Sequence, residues 1–134
     1  MYGFSIEVSE PFDRVLERTT QALEREGFGI LTVIDVRATF RRKLGVEILP
    51  YQILGACNPQ LAHEALSADP EIGLLLPCNV VVREIRPTCT RVSFMDPEAV
   101  LGLTENASIP ALAGNVRKRL LRVRKSLERT REPD

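Results

Sequence analysis

Two cysteine–asparagine pairs, Cys57-Asn58 and Cys78-Asn79, stand 21 residues apart, each where an apolar run meets a turn. A thiol beside an amide at the end of an element can act as a nucleophile, a redox group or a ligand contact. Asn58-Pro59 reads as a helix start, and free backbone N–H groups there would hold an anion and lower the pKa of the preceding thiol. With Tyr51 and His63 close in sequence, Cys57 is the candidate catalytic or redox thiol. The same stretch also reads as a ligand pocket lined by Tyr51, Cys57, Asn58, Cys78 and Asn79, since ligands commonly bind at element ends. Packed, inert thiols are the simpler account, because free cysteine is among the most buried residue types. His63, beside Glu64, reads as a surface histidine. No metal is expected: there is no C-x-x-C pair, and two thiols with one imidazole do not complete a zinc set without Cys89 or a carboxylate. Phosphate-loop, dinucleotide, G-x-S-x-G and H-E-x-x-H signatures are absent, so no cofactor is indicated and catalysis stays an open question.

The flanking chain must position these groups. Tyr2, Phe4, Ile6 and Val8 alternate with Gly3, Ser5 and Glu7 in a half-buried strand. Ser9 is the expected cap of a helix with Pro11 in its first turn and Gly27 as its left-handed end. Gly29 to Ile34 is apolar on both faces, which predicts a central strand. Asp35 should cap a short helix to Leu44, closed by Gly45, with Val36, Phe40 and Leu44 on one side and Arg37, Arg41, Arg42 and Lys43 on the other. Pro50 makes the next strand an edge, or delays its start. Asn58 caps a helix that buries Leu61, Ala62, Ala65 and Leu66 and ends at Asp69-Pro70. Ile72 to Leu76 reads as a turn or short strand. Asn79–Ile85 and Thr90–Met95 form a hairpin across Arg86-Pro87-Thr88, and Glu98 to Glu105 a loop or one helical turn.

From Ser108 to about Arg129 the chain is helical, with the seam Ile109, Ala113, Val116, Leu120, Val123 and Leu127. Formal charge is segregated: −4 over 1–36, +4 over 37–43, −5 over 44–115 and +5 over 116–134. Arg117, Lys118, Arg122, Lys125 and Arg129 could grip nucleic acid, although a charge run is usually a solvated face. The seam and the charge predict instead a homodimer with this helix at or near the interface. There it would meet acidic surface such as Glu10, Asp13, Glu17 and Glu24 of a second subunit.

The 134 residues carry zero formal net charge, 44% apolar and 27% charged side chains. That is ordinary for a globular chain and gives no overall bias toward nucleic acid or membrane. No apolar run is long enough to span a membrane, and no signal peptide is read at Met1, so a cytoplasmic location is expected. The fold class is α+β. We expect one small domain over 1–134 (core 1–105, basic helix 108–130), with a mixed or antiparallel sheet of four to five strands covered by helices.

Several stretches resemble the domain-of-unknown-function 302 family: Gly27-Phe28-Gly29, Pro50-Tyr51, Leu54–Pro59, Ala65-Leu66, Asp69-Pro70, Leu76–Val82 and Phe94–Pro97. The resemblance covers roughly residues 1–97. It implies a small α+β domain found in bacteria and archaea and draws attention to Cys57, Asn58 and Cys78. It implies no activity and leaves the basic helix unexplained.

Overall fold

The computed structural model describes residues 1–128. Its elements are β1 (Gly3–Val8), α1 (Phe12–Arg25), β2 (Gly29–Asp35), α2 (Val36–Leu44), β3 (Tyr51–Cys57) and α3 (Pro59–Ala68), then a 3₁₀ helix (Pro70–Leu75), β4 (Cys78–Arg86), β5 (Cys89–Met95), α4 (Pro97–Leu101) and α5 (Ile109–Leu127). The five strands form one sheet in the order β1-β5-β4-β3-β2, with every neighbour antiparallel.

Alternation along the strands sends Leu54, Ala56, Val80, Val82, Val92 and Phe94 to one face, where they are fully buried. There they join Val15, Ala22 and Leu23 of α1 and Val116, Leu120, Val123 and Leu127 of α5 in the main core. A second, smaller cluster gathers Ala65, Ile72, Leu101, Ile109 and Ala113. The whole α5 seam is therefore buried within its own chain.

Local chemistry explains most of the boundaries. Asp35 Oδ1 accepts from Ala38 N at 2.9 Å, and Gly45 ends α2 at φ 64°. Asn58 Oδ1 accepts from Leu61 N at 3.2 Å, with Pro59 opening α3. Asp96 Oδ1 accepts from Glu98 N at 3.0 Å and opens α4, so of the expected loop or single helical turn it is the turn that forms. Gly27 takes φ 87° after α1.

Three expectations are corrected, and one open alternative is decided. Ser9 does not cap α1; the helix begins after Pro11, whose carbonyl accepts from Val15 N at 3.1 Å. The segment after Asp69 is a 3₁₀ helix, because Asp69 Oδ1 caps it through Glu71 N. Of the two readings of Pro50 the delayed start holds: β3 begins at Tyr51 and lies inside the sheet between β2 and β4. β2, expected at the centre, is an outer strand with no buried residue.

Candidate functional site

The five candidate pocket residues divide between the two faces of the sheet. Cys57, Asn58 and Cys78 border one cavity of about 280 Å³. Ala56 pairs with Cys78, so Cys57 at the end of β3 falls next to the first residue of β4. The two thiols are free, and Cys57 is close enough to add to the upward push on Cys78. Tyr51 and Asn79 line a different groove on the opposite face, with Val81, Arg83, Arg91 and Ser93. Arg91 there donates to Ser5 Oγ at 2.7 Å and to Glu7 Oε2 at 3.1 Å.

The cavity occupies the gap between the two hydrophobic clusters. Phe28 and Ala56 of the main core form one wall. Leu61, Ala62 and Ala65 of α3 form another, and Leu101 and Leu112 complete it. Apart from Asn58, the lining holds only aliphatic groups, Phe28, glycine, proline and the two thiols. Asn58 spends its oxygen on the α3 cap. A Cβ added at Gly27 would lie 3.0 Å from its amide nitrogen, so the α1–β2 turn is glycine partly to make room for this side chain. Small side chains at Ala62 and Ala65 leave the space open, and they were the one sequence signal that could have located it.

Burial sets the thiol electrostatics. It pushes Cys57 up from its ordinary value. It raises Cys78 to about 12, with a smaller push from Cys57. The lowering expected for Cys57 at a helix start is absent: desolvation disfavours the thiolate, and Asn58 Oδ1 occupies the Leu61 N–H. Both groups are neutral S–H near pH 7. Cys89 lies elsewhere, with Sγ 3.4 Å from Glu7 Oε1, and is raised by burial first and by that hydrogen bond next. His63 is exposed on the outer side of α3. Among the described residues no group of three or more His, Cys, Asp or Glu is placed to hold a metal ion.

The basic helix finds most of its partners inside the chain. Arg122 pairs with Glu26 at 2.8 Å. Arg119 donates to the Glu26 carbonyl at 2.9 Å, and Arg117 pairs with Asp96 at 3.2 Å. Arg117 and Arg124 also lie over the Phe4 ring. Lys118 and Lys125 remain exposed, and Arg129 lies outside the described residues. This corrects the expected location of the helix's charge partners: Glu26 of α1 and Asp96 ahead of α4 supply them without a second subunit.

An antiparallel sheet covered on one face by helices, with an apolar cavity at one end, defines a small α+β domain. The family described as "Domain of unknown function DUF302" matches residues 4–127, and the chain belongs to that family. The match runs through α5, further than the resemblance read from motifs. The crystal structure of an uncharacterized conserved DUF302 protein from Bacillus stearothermophilus is similar to this chain, with a TM-score of 0.86 and 28% identity over 96% of this chain and 99% of that one. No curated protein matches. Among the described residues no helix is long and apolar enough to cross a membrane.

Proposed function

We propose that the protein binds a small, largely apolar molecule in the cavity bordered by Cys57, Asn58 and Cys78. The observation that carries this reading is a space of about 280 Å³ between two packed clusters, lined almost wholly by carbon. Pockets for small molecules are mostly apolar, with a few polar groups to fix orientation. Here the Asn58 amide and two neutral thiols are those groups. Tyr51 and Asn79 take no part, since they face the other side. A thiolate enzyme using Cys57 is the weaker reading, because burial raises both thiols and reactive cysteines are lowered. Nucleic-acid binding is weaker still, given the internal partners of Arg117, Arg119 and Arg122. A homodimer and a cytoplasmic location belong to the same reading; three free thiols suit a reducing compartment.

The test is a thermal shift with short aliphatic and aromatic probes at millimolar concentration, on the native chain and on Ala62→Phe, which fills the cavity. Probes should raise the native midpoint and leave that of Ala62→Phe unmoved. If no probe moves the native midpoint, the cavity reading fails.

A further inference from the structure

β2 has the composition of an inner strand and the position of an outer one. Gly29 to Ile34 contains no charge and no proline, yet Leu31 is 64% exposed, Val33 57% and Ile34 49%. The apolar surface continues along the chain through Phe40 and Leu44 of α2 to Val46 and Leu49. The α2 stripe read from sequence thus exists, but none of the described residues buries it. Natural sheets blunt a free edge with lysine, proline or a strong bulge, and β2 carries only one register shift, between Ile30 and Thr32.

We propose that β2 and α2 form the interface of a homodimer in which two β2 strands pair edge to edge across a two-fold axis. The occupant is a second copy for three reasons. Seven half-exposed large side chains present on the order of 600 Å² of apolar surface per chain, near the roughly 800 Å² per partner of a stable interface and at the upper end of what a lone subunit shows in one patch. An edge of an antiparallel sheet rotated onto itself offers antiparallel pairing, with each strand supplying the donors and acceptors the other needs. Gly29 to Ile34 carry no charge, so no like charges meet along that stretch of the paired strands; Asp35 and the basic side of α2 lie beyond it.

The interface also reaches the cavity. Leu31 is both an exposed β2 residue and part of the cavity wall. A partner strand laid along β2 covers Leu31 from outside and narrows the mouth. The proposal rests on the homodimer reading above and moves its contact from the C-terminal helix to β2; the cavity reading stands or falls separately.

Sedimentation equilibrium of the full chain at micromolar concentration tests it. The native chain should run at dimer mass. Val33→Asp/Ile34→Lys should weaken association about 100-fold, which is a large but attainable loss for two contacts near an interface centre. Its far-UV circular dichroism should be unchanged, since both side chains are exposed. Lys118→Glu/Lys125→Glu on α5 should remain dimeric. A native monomer overturns the homodimer and its surface together. A dimer indifferent to the β2 substitutions overturns the surface alone. Should the β2 double variant not fold, hydrogen exchange of the native chain decides: β2 amides protected in the dimer and released on dilution support the proposal, and protection independent of concentration overturns it.

Discussion

At the scale of single residues, the most telling group is the Cys78 thiol. The unfolded chain releases its proton near 9.0, and the folded chain holds it to about 12. A folded pKa above the unfolded one means stability that is fully present below pH 9.0 and lost as pH climbs toward 12, because the unfolded state then binds fewer protons. Urea midpoints of the native chain should therefore fall across that window more steeply than those of Cys78→Ala. Equal slopes would show that the thiol ionises freely in the fold. Alkylation of Cys78 should be negligible at pH 8 and appear only in strong alkali or on unfolding. Gly55 is a second sensitive point. A Cβ there would meet Thr32 Oγ1 at 2.2 Å and Pro77 Cγ at 3.0 Å, so β2 and the start of β4 close on β3 only over a bare backbone. Gly55→Ala should cost about 1–3 kcal/mol by overpacking. Adding Thr32→Ala should recover more than half of that in a chemical denaturation cycle; no recovery would place the clash at Pro77.

At the scale of elements, α5 shows which force holds a helix that carries both an apolar seam and a dense charge. Leu120→Ala removes a fully buried side chain and should cost about 2–5 kcal/mol. Arg122→Ala breaks an exposed, solvent-screened ion pair with Glu26 and should shift the denaturation midpoint far less than Leu120→Ala does. Denaturant titrations that reversed this order would mean that charge holds the helix. Leu120→Asp should unfold the domain and not merely release monomers, since the seam is internal. The seam, the caps at Asp35 and Asn58, the Gly27 and Gly45 ends and the β4–β5 hairpin were all legible in sequence, because each depends on periodicity or on a backbone position that few residues tolerate. The place of β2 was not. Apolar residues on both faces record that a strand is meant to be covered, without saying by what. The site was half legible. Cys57 and Cys78 follow from pairing Ala56 with Cys78, but Asn79 alternates to the other face from Cys78 and Tyr51 lies at the far end of β3 from Cys57, and the register that sets this is a property of the fold.

At the scale of the whole molecule, the cavity divides the interior into a sheet-based core and a smaller cluster built by α3, the 3₁₀ helix, α4 and the start of α5. The smaller cluster makes fewer long-range contacts with the sheet, so it should open at lower free energy than the sheet itself. Native-state hydrogen exchange should show amides of α3 and the 3₁₀ helix exchanging through a partial opening, while β4 and β5 exchange only with global unfolding. A single exchange free energy for all of them would mean that the cavity does not separate two cooperative units. The segregated charge behaves differently. Segments that look strongly basic or acidic along the chain partly neutralise one another once α5 is packed, as in the Arg122–Glu26 and Arg117–Asp96 pairs.

The strand order also has a consequence in time. β1 is made first, but its partner in the sheet is β5, with Gly3 opposite Met95 and Val8 opposite Thr90. At a synthesis rate of roughly 5–20 residues per second, β1 therefore waits several seconds before the strand it needs has been translated. During that interval Phe4, Ile6 and Val8, which later pack against or within the main core, have no sheet to lie on. The earliest strand of the sheet to leave the ribosome is among the last to find its place, and the nascent chain must be kept from pairing elsewhere until the hairpin arrives.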